Sequence, residues 1–260
     1  MTNRSRWLVL VYVCGALELA AAAPASARTL AEVKAKGEVS LCAHPDALPY
    51  ASQNATPPGF QIEIGQAVAA SLGVPLKVEW IVPHMRAALV DCDMLLDAVA
   101  DPAVHEGRLK LSHAYQVNGV GLVLRPGNDS VRGLGDLRAE QKVGVMINSV
   151  ASKVVNQRGV RTAPYAFEED MLEDMGKGDI DGAVVSIPRA SYYIRTHPDA
   201  GFRLVPSFDG APDLRWQVAV GLRRSDEAMV QAVNVALERM IESGTLREIY
   251  AKYGLQLLGQ

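Results

Sequence analysis

Short apolar runs alternate with amphipathic segments along most of the chain. The first runs are bounded by breakers, for example Pro57-Pro58-Gly59 before a helical pattern that Gly73 ends. The predicted elements of this first unit are strands at 39–43, 76–80 and 93–99 and helices at 60–72 and 85–90. This βαβαβ order predicts a parallel sheet that is covered by helices.

The same alternation starts again after the break Pro126-Gly127-Asn128. The predicted elements from 119 onwards are strands at 119–124, 143–146, 182–185 and 216–222 and helices at 150–157, 167–175, 189–196, 229–241 and 245–253. The repetition predicts an α/β protein with two lobes of similar architecture and a hinge between them. Lobe one is expected to contain 28–124 and 219–260 and lobe two 125–218, with crossovers near 124–126 and 218–220.

The first 27 residues have the pattern of a cleaved secretory signal. Arg4 and Arg6 precede the apolar run 7–17, and Ala25-Ser26-Ala27 is a small-residue cleavage site. An uncleaved membrane anchor is the alternative, but Glu18 breaks the run, which is shorter than the roughly 20 residues that span a bilayer. We therefore expect a periplasmic protein, monomeric and without a membrane span after cleavage.

Charge and motifs narrow the function classes. The formal net charge is −3, and loss of Arg4, Arg6 and Glu18 with the signal changes it to −4, which favours neither nucleic acid nor an anionic membrane surface as a partner. No nucleophile elbow, Walker loop or dinucleotide motif is present, so we predict a binding protein without a cofactor rather than an enzyme. The histidines, which lack metal-site spacing, are His44, His84, His105, His113 and His197.

Seven segments resemble, in order, motifs of the amino-acid-type solute-binding proteins of ABC transporters. They are Leu48-Pro49-Tyr50, Gly59-Phe60-Gln61-Ile62-Glu63-Ile64, Cys92-Asp93, Leu111-Ser112-His113-Ala114-Tyr115, Asp136-Leu137 through Val143-Gly144-Val145, Gly178-Asp179-Ile180-Asp181-Gly182-Ala183 and Gly244-Thr245-Leu246 through Tyr250-Ala251-Lys252-Tyr253-Gly254. The resemblance implies a two-lobed, type II periplasmic binding fold that closes on a small molecule. The implied partners are that ligand and the permease subunits of an ABC uptake system.

Two departures from this family concern the charged groups that bind an α-amino acid. Typical members have an Arg twelve residues after the Asp of strand three, where this chain has His105, with Arg108 three residues later. They also have an Asp five residues after the second-lobe "I-D", where this chain has Ser186. A hydroxyl cannot replace a desolvated carboxylate opposite an ammonium without a large loss of affinity. The ligand is therefore predicted not to be a standard α-amino acid.

A narrower resemblance is compatible with these losses. The segments 41–45, 48–50, 92–93 and 112–115 are similar to accessory proteins encoded beside quinoprotein methanol and alcohol dehydrogenases, although His44 and Ala51 depart from that pattern. An accessory protein for a periplasmic quinoprotein dehydrogenase is thus an alternative function. A dehydratase-like enzyme on the same fold is a further alternative, because a few such enzymes use it.

The candidate ligand-binding residues follow strands or start helices, where open α/β sheets bind ligands. They are His44, Tyr50, Asp101, His105, Arg108, Asn148, Ser149 and Ser186. For Asn148 and Ser149, anion binding by free amides and ordinary helix capping are equally good interpretations. For Asp97, Asp101 and Arg108, a solvated loop explains the charges as well as a paired site in the cleft does.

Two cysteines, Cys42 and Cys92, remain after export, and an oxidising compartment favours a bond between them. Ungapped strand pairing argues against it, because an offset of about four residues is about 13 Å, whereas a disulfide needs Cα atoms within roughly 7 Å. A shift of the chain before Asp93 would close the gap. Both cysteines recur in the narrower resemblance, and we predict a structural disulfide without redox activity.

Overall fold

The computed structural model describes residues 28–81, 92–206 and 214–257. The predicted signal, His84 and the predicted helix at 85–90 lie outside these ranges. The strands are β1 (Val39–Ala43), β2 (Asp46–Ala47), β3 (Ala51–Ser52), β4 (Leu76–Trp80), β5 (Met94–Val99), β6 (Leu109–Leu111), β7 (Gln116–Leu124), β8 (Lys142–Met146), β9 (Arg161–Tyr165), β10 (Gly182–Ser186), β11 (Arg203–Pro206) and β12 (Arg215–Arg223). The α-helices are α1 (Leu30–Lys36), α2 (Phe60–Leu72), α3 (Pro102–His105), α4 (Val150–Gln157), α5 (Glu168–Lys177), α6 (Ile187–Thr196), α7 (Glu227–Glu242) and α8 (Thr245–Lys252).

The first sheet has the strand order β4-β1-β5-β12, with β1 parallel to both of its neighbours and β12 antiparallel to β5. Its core joins β1, β5 and β12 to α2, α7 and α8, so that distant parts of the chain share one apolar interior. Phe60 at the start of α2 stacks on Tyr250 of α8 with ring centroids 4.9 Å apart. This burial of aromatic surface holds the C-terminal helices on the first sheet.

The second sheet continues in the order β7-β10-β8-β9 and carries apolar cores on both faces. β8 is parallel to β9 and β10, whereas β7 is antiparallel to β10. The fold class is the one predicted, an α/β protein of type II periplasmic binding architecture. Both sheets are mixed. In the first sheet β12 is antiparallel to β5, and in the second β7 is antiparallel to β10.

β7 connects the two sheets as a continuous strand. Residues 116–119 of β7 pair with 215–218 of β12, whereas 120–124 pair with β10. The change of sheet therefore falls between Gly119 and Val120, several residues before the expected crossover at 124–126. The sequence of a continuous strand carries no signal for the point at which its partners change. The division of the chain into two lobes stays a prediction.

The predicted disulfide between Cys42 and Cys92 is confirmed, with Cα atoms 5.6 Å apart. The backbone N–H of Asp93 donates to the carbonyl of Ser40 at 3.1 Å before β5 begins. The chain thus bends onto β1 ahead of the strand, which removes the offset that ungapped pairing implies.

Candidate functional site

A cleft of ≈ 290 Å³ lies beyond the carboxyl ends of β1 and β5, where strands of the first sheet face the second. The first sheet contributes His44, Tyr50 and Asp97 to its walls, and the second contributes Phe167, Glu168 and Arg189, among others. Such a crevice is the usual ligand site of open α/β sheets.

Tyr50 is fixed by the loop that follows β1. Its backbone N–H donates to Ala47 at 2.8 Å, and its carbonyl accepts from the N–H of Gln61 in α2 at 2.9 Å. Gly59 has φ +106°, and a Cβ there would lie 2.5 Å from the Tyr50 carbonyl oxygen, so only glycine allows this close approach. The Tyr50 hydroxyl accepts from the Asn118 amide at 3.4 Å, where β7 still pairs with β12. The Tyr50 side chain therefore reaches from the first sheet to the part of β7 next to the point where this strand changes partners.

Glu168, the first residue of α5, turns back to the end of β10. Its carboxylate accepts from the Ser186 N–H at 2.6 Å and from the Ser186 hydroxyl at 2.7 Å. Burial raises the pKa of Glu168, and these two hydrogen bonds and the charge of Arg189 offset part of that rise. A carboxylate therefore does lie at Ser186, although it comes from another element of the second sheet.

Asp97 of β5 is the carboxylate on the opposite wall. Its side chain is exposed to the cleft and makes no hydrogen bond or ion pair with another side chain in the described ranges. The surrounding protein desolvates it and raises its pKa. Burial and then the Glu168 charge raise the pKa of Tyr50 well above its ordinary value, so the phenol stays protonated at neutral pH.

Arg189 is the cationic group of the cleft, and it is already paired. Its guanidinium lies 2.5 Å from a carboxylate oxygen of Glu169, and its side chain is only 10% exposed. The buried Nε has no hydrogen-bond partner among the described residues. With Asp46, Asp97, Glu168 and Glu169 against Arg189, the described walls carry four carboxylates and one guanidinium. Their formal charge, with His44 neutral, is 1 − 4 = −3.

Of the sequence-predicted residues, the structure brings His44, Tyr50 and Ser186 to this cleft, with Ser186 acting through Glu168. Ser149 instead caps α4, because its hydroxyl accepts from the Ser152 N–H at 3.0 Å and donates to Met146 at 2.7 Å. Asn148 is exposed beside it with φ +56°. Capping is therefore the interpretation that the Ser149 contacts support.

The other three candidates lie elsewhere. Asp101 caps α3 by accepting from the Ala103 N–H at 2.9 Å. His105 and Arg108 line a separate cavity of ≈ 740 Å³ that shares only Leu95 with the described walls of the cleft. We call it the basic cavity, because its described walls include Arg108, Lys110, Arg223 and Arg224 together with His105.

The basic cavity extends along β5. β12 runs antiparallel to β5 and pairs Leu222 with Met94, so Arg223 follows at the amino end of β5. His105, in contrast, lies with Nε2 2.8 Å from the carbonyl of Val99, the last residue of β5. Neither His105 nor Arg108 is among the described residues that line the cleft.

Sequence reasoning left Asp97 open between a charge in the cleft and a solvated loop, and it missed Glu168 and Arg189. Glu168 belongs to three consecutive acidic residues at the start of α5, Glu168 to Asp170. Acidic side chains are common in the first turn of a helix, where they interact favourably with the helix dipole, so this pattern does not indicate a ligand site. Within the described ranges, no group of three or more His, Cys, Asp or Glu side chains is arranged to hold a metal ion. No helix in the part of the chain that the structure describes has the length and apolar character to cross a membrane.

Two mixed α/β sheets that share the strand β7 and enclose a charged cleft define the class of type II periplasmic binding proteins. The chain belongs to the bacterial extracellular solute-binding proteins, family 3, whose family model matches residues 39–256.

Known relatives are distant in sequence. The chain is 24% identical, over 99% of its own length and 98% of the relative's, to a probable histidine-binding protein of Neisseria gonorrhoeae. It is also 24% identical to an L-cystine-binding protein of Escherichia coli K12, over 75% of this chain and 73% of that protein. Among solved structures, an ancestral cationic amino acid solute-binding protein superposes with a TM-score of 0.72 at 19% identity, covering 86% of this chain and 99% of that one. At this sequence identity, the structural likeness shows a shared fold and nothing more.

Proposed function

We propose that this protein is the periplasmic solute-binding component of an ABC uptake system and that its cleft binds a small solute with at least one protonated amino group. The observation that carries the proposal is the excess of carboxylates on the described walls, with Asp97 on the first sheet and Glu168 on the second. Opposite charges that face each other in a desolvated site stabilise a complex by more than they do in water.

Closure on the ligand would use the shared strand β7 and the start of β12, which pairs with it, as a hinge. We propose lobes built on the two sheets, 28–119 with 214–257 against 120–206, which shifts the boundaries expected from the sequence by a few residues. Two extended crossovers between separate cores allow rotation without loss of either core. Tyr50 and Asn118 lie at this hinge, so ligand contact and closure would be linked.

Relatives support the ligand class only in outline. The names of the gonococcal and E. coli relatives are those of binding proteins, which agrees with a binding role rather than an enzymatic one. The structural neighbour is described as binding cationic amino acids, and a cationic group is the part of such a solute that this cleft would hold. The accessory role beside a quinoprotein dehydrogenase stays a prediction, and a cleft that keeps its charged walls favours a ligand.

Calorimetry of the exported protein with small amines and amino acids tests the proposal, together with Trp216 fluorescence as a report on the hinge, since Trp216 pairs with Asn118. Glu168→Gln is expected to weaken the binding of any amine that the wild type holds by about 100-fold, because removing one partner of a desolvated charge pair costs about 2–5 kcal/mol. Glu140→Gln, an exposed control in the second sheet's half of the chain, is expected to leave affinity within about twofold. Equal losses in both variants, or no saturable binding of any amine, would contradict the proposal.

A further inference from the structure

We propose that the cleft selects a dication, a short solute with a protonated amino group at each end and no carboxylate. This inference rests on the proposed solute-binding function and narrows its ligand class. It follows from the number, position and pairing of the charges on the cleft walls.

A solute with a single positive charge leaves the walls strongly unbalanced. Their formal charge is −3 from four carboxylates and one guanidinium, and the guanidinium of Arg189 is held by Glu169 at 2.5 Å. Desolvation by the surrounding protein raises the pKa of both Asp97 and Glu168, which reflects the cost of keeping two carboxylates charged in the cleft. A second ligand cation would remove that cost at the second carboxylate.

The two carboxylates lie on opposite walls, which suits a ligand with two separated charges. Asp97 projects from β5 of the first sheet, whereas Glu168 is fixed to the end of β10 by two hydrogen bonds from Ser186. Apolar side chains line the cleft as well, namely Ile81, Leu95, Met146 and Phe167. Methylene groups between two ammonium groups match such a surface, since burial of each one removes apolar surface from water.

A ligand carboxylate would find no spare cation in the described part of the cleft. His105 occupies the position of the family's arginine, but its Nε2 lies 2.8 Å from the Val99 carbonyl, and its ring lines the basic cavity. Arg108 lines the same cavity. Beside a wall of net charge −3, an unpaired ligand carboxylate is repelled as well as desolvated.

Calorimetric titration of the wild-type protein with a series of unbranched diamines, from 1,3-diaminopropane to 1,8-diaminooctane, tests the inference against butylamine as the single-charge probe. We expect one chain length to bind about 100-fold tighter than butylamine, because the second ammonium then reaches the second carboxylate. Asp97→Asn is expected to reduce that ratio to about threefold or less, because the second ammonium group then has no second carboxylate to reach. Asp129→Asn, an exposed control, is expected to keep the wild-type ratio.

Two outcomes would overturn the inference and leave the broader function in place. One is a diamine that binds no better than butylamine at any length. The other is a ratio that Asp97→Asn does not change. Failure of the proposed function itself would appear differently, as the absence of saturable binding for every amine and amino acid tested.

Discussion

The two cavities of the first sheet have opposite charge. The cleft has four carboxylates on its described walls, whereas the described walls of the basic cavity have four arginine or lysine side chains and His105. Leu95 is the described residue that they share. The comparison shows why spacing alone misplaces a binding residue, because His105 lies at the expected distance in sequence but lines the other cavity.

The largest difference between the two cavities is expected in the stability cost of replacing the glycine beside each one by alanine. Gly59→Ala would force a Cβ to 2.5–2.7 Å from the backbone of Tyr50 and Ala51, whereas a Cβ at Gly107 meets nothing within 4 Å. We expect Gly59→Ala to lower the free energy of unfolding by about 3 kcal/mol or more, since backbone cannot move aside cheaply. Gly107→Ala is expected to cost only about 1 kcal/mol, the price of φ +73° for an alanine. Urea unfolding of both variants measures the two values, and equal losses would contradict the close packing behind Tyr50.

The disulfide supports the wall between the two cavities, because Cys42 lines the cleft and packs in one cluster with Cys92 and Leu95. Replacement of both cysteines by serine is expected to lower the free energy of unfolding by about 2–4 kcal/mol, since a cross-link limits the unfolded chain. Denaturant unfolding of the double variant measures the loss. Reduction of the wild type provides the control, and an unchanged midpoint in both cases would show that the bond does not stabilise the fold.

The acidity of the cleft predicts opposite pH trends for binding and stability. Because the pKa of Asp97 is raised by desolvation, the affinity for an amine should rise with pH as Asp97 ionises, and Glu168 should add to this trend. For Glu168, Arg189 opposes the shift and Glu169 adds to it. The free protein follows the reverse sign, because a raised carboxyl pKa contributes stability below the ordinary pKa and loses it as pH rises through the folded value.

Asp97→Asn is therefore expected to raise the midpoint of thermal unfolding at neutral pH while it weakens diamine binding. Differential scanning calorimetry at neutral and at acidic pH measures the difference, which should shrink as Asp97 becomes protonated in the wild type. An unfolding midpoint that falls at neutral pH would mean that Asp97 is a structural residue.

The smallest effects are expected in the basic cavity. Arg108 lies 3.4 Å from Glu106 and Lys110 lies 3.8 Å from Glu227, all with side chains at least 47% exposed. Exposed pairs contribute about 0–1 kcal/mol, so Arg108→Gln with Lys110→Gln should change the unfolding free energy by less than about 1 kcal/mol. Ligand affinity measured by calorimetry should stay within about twofold, and a larger loss would connect the basic cavity to the cleft.

Much of the fold follows from the sequence pattern, and the exceptions have local causes. The bounds of β1, α2 and α4 agree with the predicted 39–43, 60–72 and 150–157, because each is a clear periodic run between breakers. The strand β9 was missed, since Arg161–Tyr165 contains Pro164 and pairs only at the sheet edge. Short or polar elements owe their structure to neighbours that periodicity does not describe.

The site was less predictable than the fold. The loop of Tyr50 could be found from its prolines and from its place after a strand. The sequence shows Ser186 at the position where the family has an Asp. It does not show that Glu168, at a helix start 18 residues earlier, brings a carboxylate to the same place. Nothing in the local pattern distinguishes Glu168 from the next two acids, and only the packing of α5 against β10 decides which one turns to Ser186.

The central claim is that the cleft holds two cationic groups and that its described walls offer no spare cation to a ligand carboxylate. L-Lysine and 1,5-diaminopentane differ only in the α-carboxylate, so calorimetric titration of the wild-type protein with each compound isolates that group. We predict that the diamine binds at least about tenfold tighter, a difference of about 1.4 kcal/mol. Equal or tighter binding of L-lysine would contradict the account, and it would mean that Arg189 leaves Glu169 to bind the carboxylate.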